Sequence, residues 1–258
     1  MINKLVHFSD LHLRLIKDHD LYRTILTDMF NQFKEIQPCR ILFTGDLVHS
    51  KNQVSPELIE MVRWVLDECS KIAKTIIIVG NHDMLENNLS RLDTLTPIIQ
   101  SMDNDNIVYY KDRGVYQDEN IDWVIYSLFE HNIPPVIEKS DRLKIGLFHG
   151  PIVGLYTDIG YKFETGYEVS KFEGCDIVLC GDIHKRQTIY LDKTPIIQVG
   201  STIQQNFGES LRKHGFGIYD VIKDEYSFVD LNNPRPFLKF EMNSFEDIID
   251  GKEKLLNA

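Results

Sequence analysis

Short aliphatic runs that stop abruptly at polar, ligand-type residues recur along this chain of 258 residues. They are Leu5 to Phe8 before Asp10-Leu11-His12, Ile41 to Phe43 before Gly45-Asp46, Ile76 to Val79 before Gly80-Asn81-His82-Asp83, Ile145 to Phe148 before His149, and Ile177 to Leu179 before Asp182-Ile183-His184. Each reads as a buried strand that delivers polar side chains at its carboxyl end. Open α/β sheets keep their chemistry at such ends, so the pattern predicts convergence on one polar cluster.

Between these runs the spacing turns helical. Leu21, Ile25, Met29 and Phe33 recur after Asp18-His19-Asp20 and predict a helix ending near Pro38. Arg40 to Phe43 is the second strand, and Ser55-Pro56-Glu57 opens a second helix with an N-cap and a proline at the first helical position. Leu58, Val62, Val65, Leu66, Cys69 and Ile72 make its apolar stripe. A third helix is expected from Leu85 to Met102, opened by an Asp83-x-x-Glu86 capping box that makes Asp83 a helix cap or, secondarily, a residue that orients the polar cluster from behind. From Ile107 the texture changes, and Ile107 to Tyr110, Val115 to Tyr116 and Trp123 to Leu128 read as short strands of an antiparallel second sheet. Residues 150–172 read as a long loop beside the cluster, with Tyr156, Tyr161, Phe163 and Tyr167 among glycines. Strands return at Gln187 to Leu191, Ile196 to Val199, Gly217 to Val221 and Tyr226 to Leu231. Phe237 to Met242 and Phe245 to Ala258 read as a last strand and a fragment of helix. The sum is an α/β fold of two facing mixed sheets flanked by helices.

Composition adds bounds. With 43% hydrophobic and 26% charged residues the chain is an ordinary globular protein, expected as one domain with at most a small appendage. Met1-Ile2-Asn3-Lys4 leads straight into a strand and no apolar run is long enough to cross a bilayer, which predicts a soluble cytoplasmic protein with no membrane contact. Cys39, Cys69, Cys175 and Cys180 lack Cys-x-x-Cys spacing and read as reduced core thiols rather than disulfides or zinc ligands. A formal charge of −11 argues against nucleic-acid binding by bulk electrostatics, so any nucleic acid must be gripped locally. Lys185, Arg186, Arg212 and Lys213 are the candidates for a local basic lip, with Lys185 and Arg186 as substrate contacts.

The polar cluster has the composition of a metal centre. Asp10 and His12 are spaced to leave the same side of a strand end and face one ion. Asp46 follows a glycine that permits a sharp turn, and its two oxygens can serve two ions. Asn81 offers a carbonyl oxygen, Asp182 a carboxylate, and His149 and His184 imidazole nitrogens, a mixture that favours Mn, Fe or Zn over Ca. Taken singly, each residue is better explained as a cap, turn former or hydrogen-bonded structural group. Together, each after an apolar strand, they point to a metal site. Two ions roughly 3.5–4 Å apart would activate a bridging water for in-line displacement at phosphorus. His82, beside Asn81, is placed to protonate the leaving oxygen. His49 has two open readings, a contact to the phosphate or a surface histidine in a polar loop. His7, His19, His131 and His214 fall outside the pattern and read as structural.

These motifs, Asp10-x-His12, Gly45-Asp46, Gly80-Asn81-His82-Asp83, His149 and Asp182-x-His184, resemble the calcineurin-like metallophosphoesterase family over nearly the whole chain. Gly181-Asp182-Ile183-His184-Lys185-Arg186-Gln187, Val199-Gly200-Ser201-Thr202, Asn206-Phe207-Gly208-Glu209 and His214-Gly215-Phe216 resemble the SbcD-type DNA repair nucleases and phage recombination endonuclease subunits. The resemblance implies a four-layer α/β/β/α sandwich. It implies metal A on Asp10, His12, Asp46 and His184, metal B on Asp46, Asn81, His149 and Asp182, and His82 as the acid. It gives His49 a part in placing DNA. It further implies two divalent ions, most often Mn with Mg or Fe as alternatives, and a nuclease that degrades double-stranded ends and cuts single strands during recombination or repair. An SbcC-type ATPase partner and a homodimer through helices near residues 55–72 and 84–102 follow from it, as does the cytoplasm, or a host's cytoplasm, as location. On this reading residues 1–235 are the nuclease domain and 236–258 a tail or the start of a truncated capping region. Many members carry histidine where this chain has Asp182, which adds negative charge at metal B and shifts preference toward Mn or Mg. Two other readings compete, a phosphodiesterase or phosphatase of the same fold acting on nucleotides or phosphoproteins, and a catalytically silent scaffold. The intact ligand set argues against the scaffold.

Overall fold

A computed structural model describes residues 1–130 and 133–239. Two six-stranded sheets face each other. The first is founded on four parallel strands, β1 (Lys4–Phe8), β2 (Arg40–Phe43), β3 (Lys74–Ile78) and β4 (Ile107–Tyr110), joined through α1 (His19–Ile36), α2 (Pro56–Ile72) and α3 (Leu95–Met102). The second holds β5 (Gly114–Asp118), β6 (Ile121–Tyr126), β7 (Leu143–His149), β8 (Ile177–Gly181), β9 (Gln187–Leu191) and β10 (Thr194–Gln198) in the order β5-β6-β7-β8-β10-β9. Its middle four strands are parallel and its two edges antiparallel. The chain then returns to the first sheet as β11 (Gly215–Asp220) and β12 (Glu225–Asp230), antiparallel beside β1.

Alternation along the strands divides the core. Val6, Phe8, Ile41, Phe43 and Ile77 pack against α1 and α2, while Leu5, Leu42, Ile76 and Ile78 point the other way and meet Trp123, Ile145, Leu147 and Leu179 of the second sheet. The outer face of the second sheet, Val124, Tyr126, Phe148 and Val178, is covered by Ile152, Leu155, Tyr167 and Phe172 from the irregular segment 150–175. That cover contains one short 3-10 turn, Val169–Phe172. The Ser55 hydroxyl accepts the Leu58 N–H as foreseen, a cap worth about 1 kcal/mol.

Four expectations are corrected. Ile107–Tyr110 belongs to the first sheet, parallel to β3, because α3 returns the chain alongside that strand and Ile107 buries in the helix-side core. The second sheet is not antiparallel throughout, since β6 pairs antiparallel with β5 but parallel with β7, and it is mixed as the fold class anticipated. The third helix starts at Leu95, and residues 83–94 are loop. Ser90 spends its hydroxyl locally on Asn88, and the turn-opening role falls to Asp93, which takes both the N–H and the hydroxyl of Thr96. Phe237 to Lys239 carry no strand, and the rest of the expected terminal strand and helix lies outside the described residues. All four cysteines are free thiols. Among the described residues no helix is long and apolar enough to cross a membrane.

Candidate metal centre

The carboxyl ends of β1, β2 and β3 in one sheet and β7 and β8 in the other meet at one place, and glycines allow them to. A Cβ on Gly181 would lie 2.1 Å from the Ser9 Oγ and 2.4 Å from the Thr44 carbonyl, and one on Gly45 would lie 2.5 Å from the His149 Nδ1. No side chain fits at this junction. Alternation along β1 does not bring Asp10 and His12 together, as the sequence suggested. Both lie beyond the strand in the left-handed region, with φ 54 and 48, and Asp46 and Asp182 are similar at 60 and 90. These strained turns are held by backbone bonds from Asp10 N to Gly45 O and from His12 N to Asp46 O, each 3.0 Å.

Seven side chains converge there in two groups that share Asp46. Its Oδ2 lies 3.5 Å from the His12 Nε2 and its Oδ1 3.3 Å from the His149 Nε2. In the first group the Asp10 Oδ1 is 3.9 Å from the Nε2 atoms of both His12 and His184, which are 2.9 Å from each other. In the second, the Asn81 Oδ1 and Asp182 Oδ1 lie 3.4 and 3.8 Å from the His149 Nε2. Donors about 2.0–2.2 Å from a common ion stand at such separations from one another.

The proton inventory also calls for cations. His149 Nδ1–H donates to the Thr44 carbonyl at 2.6 Å and His184 Nδ1–H donates to Glu209 at 2.7 Å, which turns both Nε2 atoms inward toward carboxylate, amide and imidazole groups. His12 Nδ1 is buried without a hydrogen-bond partner. Burial pushes Asp10 up to about 7 and raises Asp182. Burial also acts upward on Asp46, but His149 and His12 outweigh it and hold its carboxyl below the usual range. Burial would lower His149 and His184, yet Asp46 draws the first well up and Glu209 and Asp10 bring the second to about 9. His12 stays well below its ordinary value because burial dominates. Buried carboxylates facing inward-turned imidazole Nε2 atoms, which a divalent ion would bind in place of their protons, fit two such ions, with Asp10, His12, Asp46 and His184 around one and Asp46, Asn81, His149 and Asp182 around the other.

Beside them, His82 donates from its backbone to the Asp46 Oδ1 at 2.8 Å, and its Nδ1–H reaches the His49 carbonyl at 2.7 Å. Its ring stands edge-on to His12, 4.7 Å between centroids, and stacks on the exposed His49 at 5.6 Å. His49 is thus at the mouth of the site, held by ring contacts and free to meet a ligand. Asp83 is no helix cap. It is fully buried and accepts the backbone N–H groups of Asp46 (2.9 Å), Gly80 (2.9 Å) and Val48 (3.0 Å), fixing the two loops that carry Asp46 and Asn81. Burial and the charge of Asp46 raise its pKa to about 8, and the N–H donors pull it back. Of the basic pair, Lys185 lines a cleft with Asp182 and His184, its Nζ 6.0 Å from the Tyr156 ring. Arg186 is engaged elsewhere, bonded to Asp230 at 2.5 Å and stacked over Phe228, so it does not form the lip expected of it. Glu209 was not foreseen as part of the site. Besides His184 it accepts from Asn206 Nδ2 at 2.7 Å and Gln205 N at 2.8 Å, a role to which no local spacing points. Of the four histidines read as structural, His7 is bonded to Tyr226 and Thr44, His19 to the Arg14 carbonyl and His214 to Ser201 and Ser210, while His131 lies outside the described residues.

Two clefts flank the centre. One of about 320 Å³ is lined by Asp182, His184, Lys185, Thr157, Asn206 and Glu209. The other, of about 270 Å³, is lined by Asn81, His149, Asp182, Leu128, Phe148 and Tyr167. Asp182 borders both.

Residues 4–186, which contain all seven converging side chains, match the calcineurin-like phosphoesterase family. An uncharacterized protein of Acanthamoeba polyphaga mimivirus is 33% identical over 97% of the chain, and the chain spans 19% of that relative's length. Among solved structures, an archaeal phosphodiesterase is 17% identical with a TM-score of 0.47, covering 88% of this chain and 99% of its own. A phosphopantetheinyl hydrolase from Mycobacterium tuberculosis is 12% identical with a TM-score of 0.44, covering 78% and 90%. On the family match, this chain belongs to the calcineurin-like phosphoesterases, metal-dependent hydrolases of phosphoesters that typically bind two divalent metals.

Proposed function

We propose that the protein is a two-metal-ion phosphodiesterase acting on DNA, a nuclease that cleaves double-stranded ends and single strands in recombination or repair. The observation that carries this reading is the pair of clefts, one on each side of Asp182. A phosphate seated at the centre has room for an organic group in both directions, which a diester needs and a monoester does not. Two divalent cations, Mn by the oxygen-rich donor set, would supply Lewis acidity at the phosphoryl oxygens and a hydrolytic nucleophile at neutral pH. The chain's own residues do the rest. The His82 ring is held through Nδ1 by the His49 carbonyl, so its Nε2 is the atom that would hand a proton to the leaving oxygen. His49 stacks on that ring and lies at the site's mouth, placed to contact the phosphate. Lys185 lines the wider cleft as the cation nearest the diester's neighbouring groups.

A second reading, a phosphodiesterase of small nucleotides, is favoured by the net charge of −11, which repels a long polyanion more than a small one. With the nuclease reading we place an SbcC-type ATPase as partner, the 1–235 nuclease domain and 236–258 tail, and a cytoplasmic location. A homodimer is proposed through the surface of α2 and the 84–102 segment. Val54, Ile59, Leu89 and Leu92 are exposed there, and the first two and Leu92 line a cavity of about 390 Å³.

The test is to incubate the protein with Mn and linear duplex DNA, circular single-stranded DNA or bis(p-nitrophenyl) phosphate, with His82→Ala as control. Mn-dependent loss of DNA that needs His82 supports the nuclease. Turnover of the small diester with no DNA cut transfers the assignment to the second reading, and silence with no bound metal refutes both.

A further inference from the structure

Arg14 lies two residues past ligand His12 and is not used by the site described above. The segment that carries it runs parallel to the one after β2, with Leu13 bridged to Val48 and the His49 N–H bonded to the Leu13 carbonyl at 2.9 Å. Arg14 therefore follows beside His49, at the rim of the centre. A guanidinium has five N–H donors, and among the described residues this one makes a single long hydrogen bond, 3.4 Å from Nη2 to the Gln205 carbonyl, while its Nε is buried without a partner there. It borders a cavity of about 200 Å³ with Lys17, Asp18, Tyr22, Gln204, Gln205 and Arg235. Of the three cations there, Lys17 is 3.9 Å from Asp18 and Arg235 is 2.9 Å from Asp20. Arg14 is in none of the ion pairs among the described residues. The cavity is tied to the metal centre through Gln205, whose side chain donates to the Leu11 carbonyl at 3.2 Å and whose N–H donates to the Glu209 carboxylate that orients His184.

We propose that Arg14 and the cavity beside it form an anion subsite for a second phosphate, the internucleotide linkage adjacent to the one being cleaved. This rests on the nuclease reading above and adds to it the requirement that the substrate carry more than one phosphate. A partly buried guanidinium with unused donors gains most from an oxyanion able to take two of them, and a phosphodiester offers two such oxygens. Its place beside His49 puts the second phosphate on the His12 and His184 side of the centre, away from the cleft at His149. The subsite discriminates a strand from a cyclic or aryl diester, which ends at its one phosphate.

The experiment is a scan of short single-stranded oligonucleotides with one neutral methylphosphonate moved stepwise from the scissile linkage, cleaved in Mn by the wild type, Arg14→Gln and Arg14→Lys. We expect kcat/KM of the wild type to fall about 10-fold or more at one position near the scissile linkage, that sensitivity to vanish in Arg14→Gln, and part of it to remain in Arg14→Lys. The readout is a ratio within each variant, so a general loss of activity does not mimic it. A flat scan in a wild type that cuts DNA overturns the subsite alone, and so does a sensitivity unchanged in Arg14→Gln. Should the variants not fold, the wild-type scan stands by itself, with a local minimum required. Turnover of bis(p-nitrophenyl) phosphate with no oligonucleotide cut overturns the nuclease reading and the subsite with it.

Discussion

Replacing Glu209 by glutamine tests whether the Nε2 of His184 is held in place from the far side of its ring. The Glu209 Oε1 takes the His184 Nδ1–H at 2.7 Å, and its Oε2 takes the Gln205 N–H at 2.8 Å. A glutamine cannot serve both. With its carbonyl toward His184, its NH2 faces the Gln205 N–H and leaves a largely buried donor unpaired, at about 1–3 kcal/mol. With the amide reversed, the NH2 faces the His184 Nδ1, which must then accept, and the ring proton moves to the Nε2 where a metal ligand needs a lone pair. Either way the charge that brings His184 to about 9 is gone. Loss of such a supporting partner costs about 10–100-fold in metal affinity. Calorimetric titration of Glu209→Gln with Mn should show that loss at one of two sites, and imidazole nitrogen chemical shifts should report the tautomer of His184. Two unchanged Mn affinities, within about threefold of wild type, would refute the argument that this carboxylate orients the ligand.

Other consequences follow from individual contacts. Asp83→Asn keeps the shape but faces an amide NH2 toward one of three backbone donors, so it should lower the urea midpoint by an amount equivalent to about 2 kcal/mol and weaken Mn binding; an unchanged midpoint would refute the argument that its three N–H bonds hold the two loops. His7 is buried with its pKa lowered to about 3 by desolvation, against 6.5 in the unfolded chain. The unfolded state therefore binds the proton first, and stability is lost as pH falls below 6.5, about 2 kcal/mol by pH 5. His7→Gln should flatten that slope in urea melts at the two pH values, and a slope equal to wild type would contradict it. Asp182→His should keep metal binding while lowering the Mn-to-Zn activity ratio, because it removes a carboxylate from the second group; an unaltered ratio would mean Asp182 does not set metal preference. Leu92→Glu, at an exposed apolar position, should turn a dimer into a monomer on size exclusion, and a wild type that elutes as a monomer would remove the proposed interface.

Much of this architecture was legible in order along the chain, and the reason is that its signals are local. An aliphatic run followed by a ligand-type residue marks a strand and its chemical end at once, so β1, β2, β3, β7 and β8 and the residues after them could be read directly. The stripe of α2 and its Ser55-Pro56 start are equally local. Where the reading failed, a local signal had two uses. Asp83 followed by Glu86 looks like a cap in sequence, but three N–H groups brought within reach by folding take its carboxylate instead. Arg186, two residues past the candidate ligand His184, looks like a substrate contact, but β12 passes close enough to claim it.

The sequence by itself determined which ligand-type residues follow which strand ends, because hydrophobic periodicity and side-chain type are properties of neighbours in the chain. Only the tertiary structure decided that β4 joins the first sheet, that Asp46 faces two imidazoles with different oxygens, and that Glu209 stands behind His184. It also decided that the Arg14 guanidinium is left nearly unused. These are pairings across the fold, between groups as much as 219 positions apart, as His7 and Tyr226 are. No local pattern encodes them, since each depends on how two separately formed sheets and the loops beyond their strands come to rest against one another.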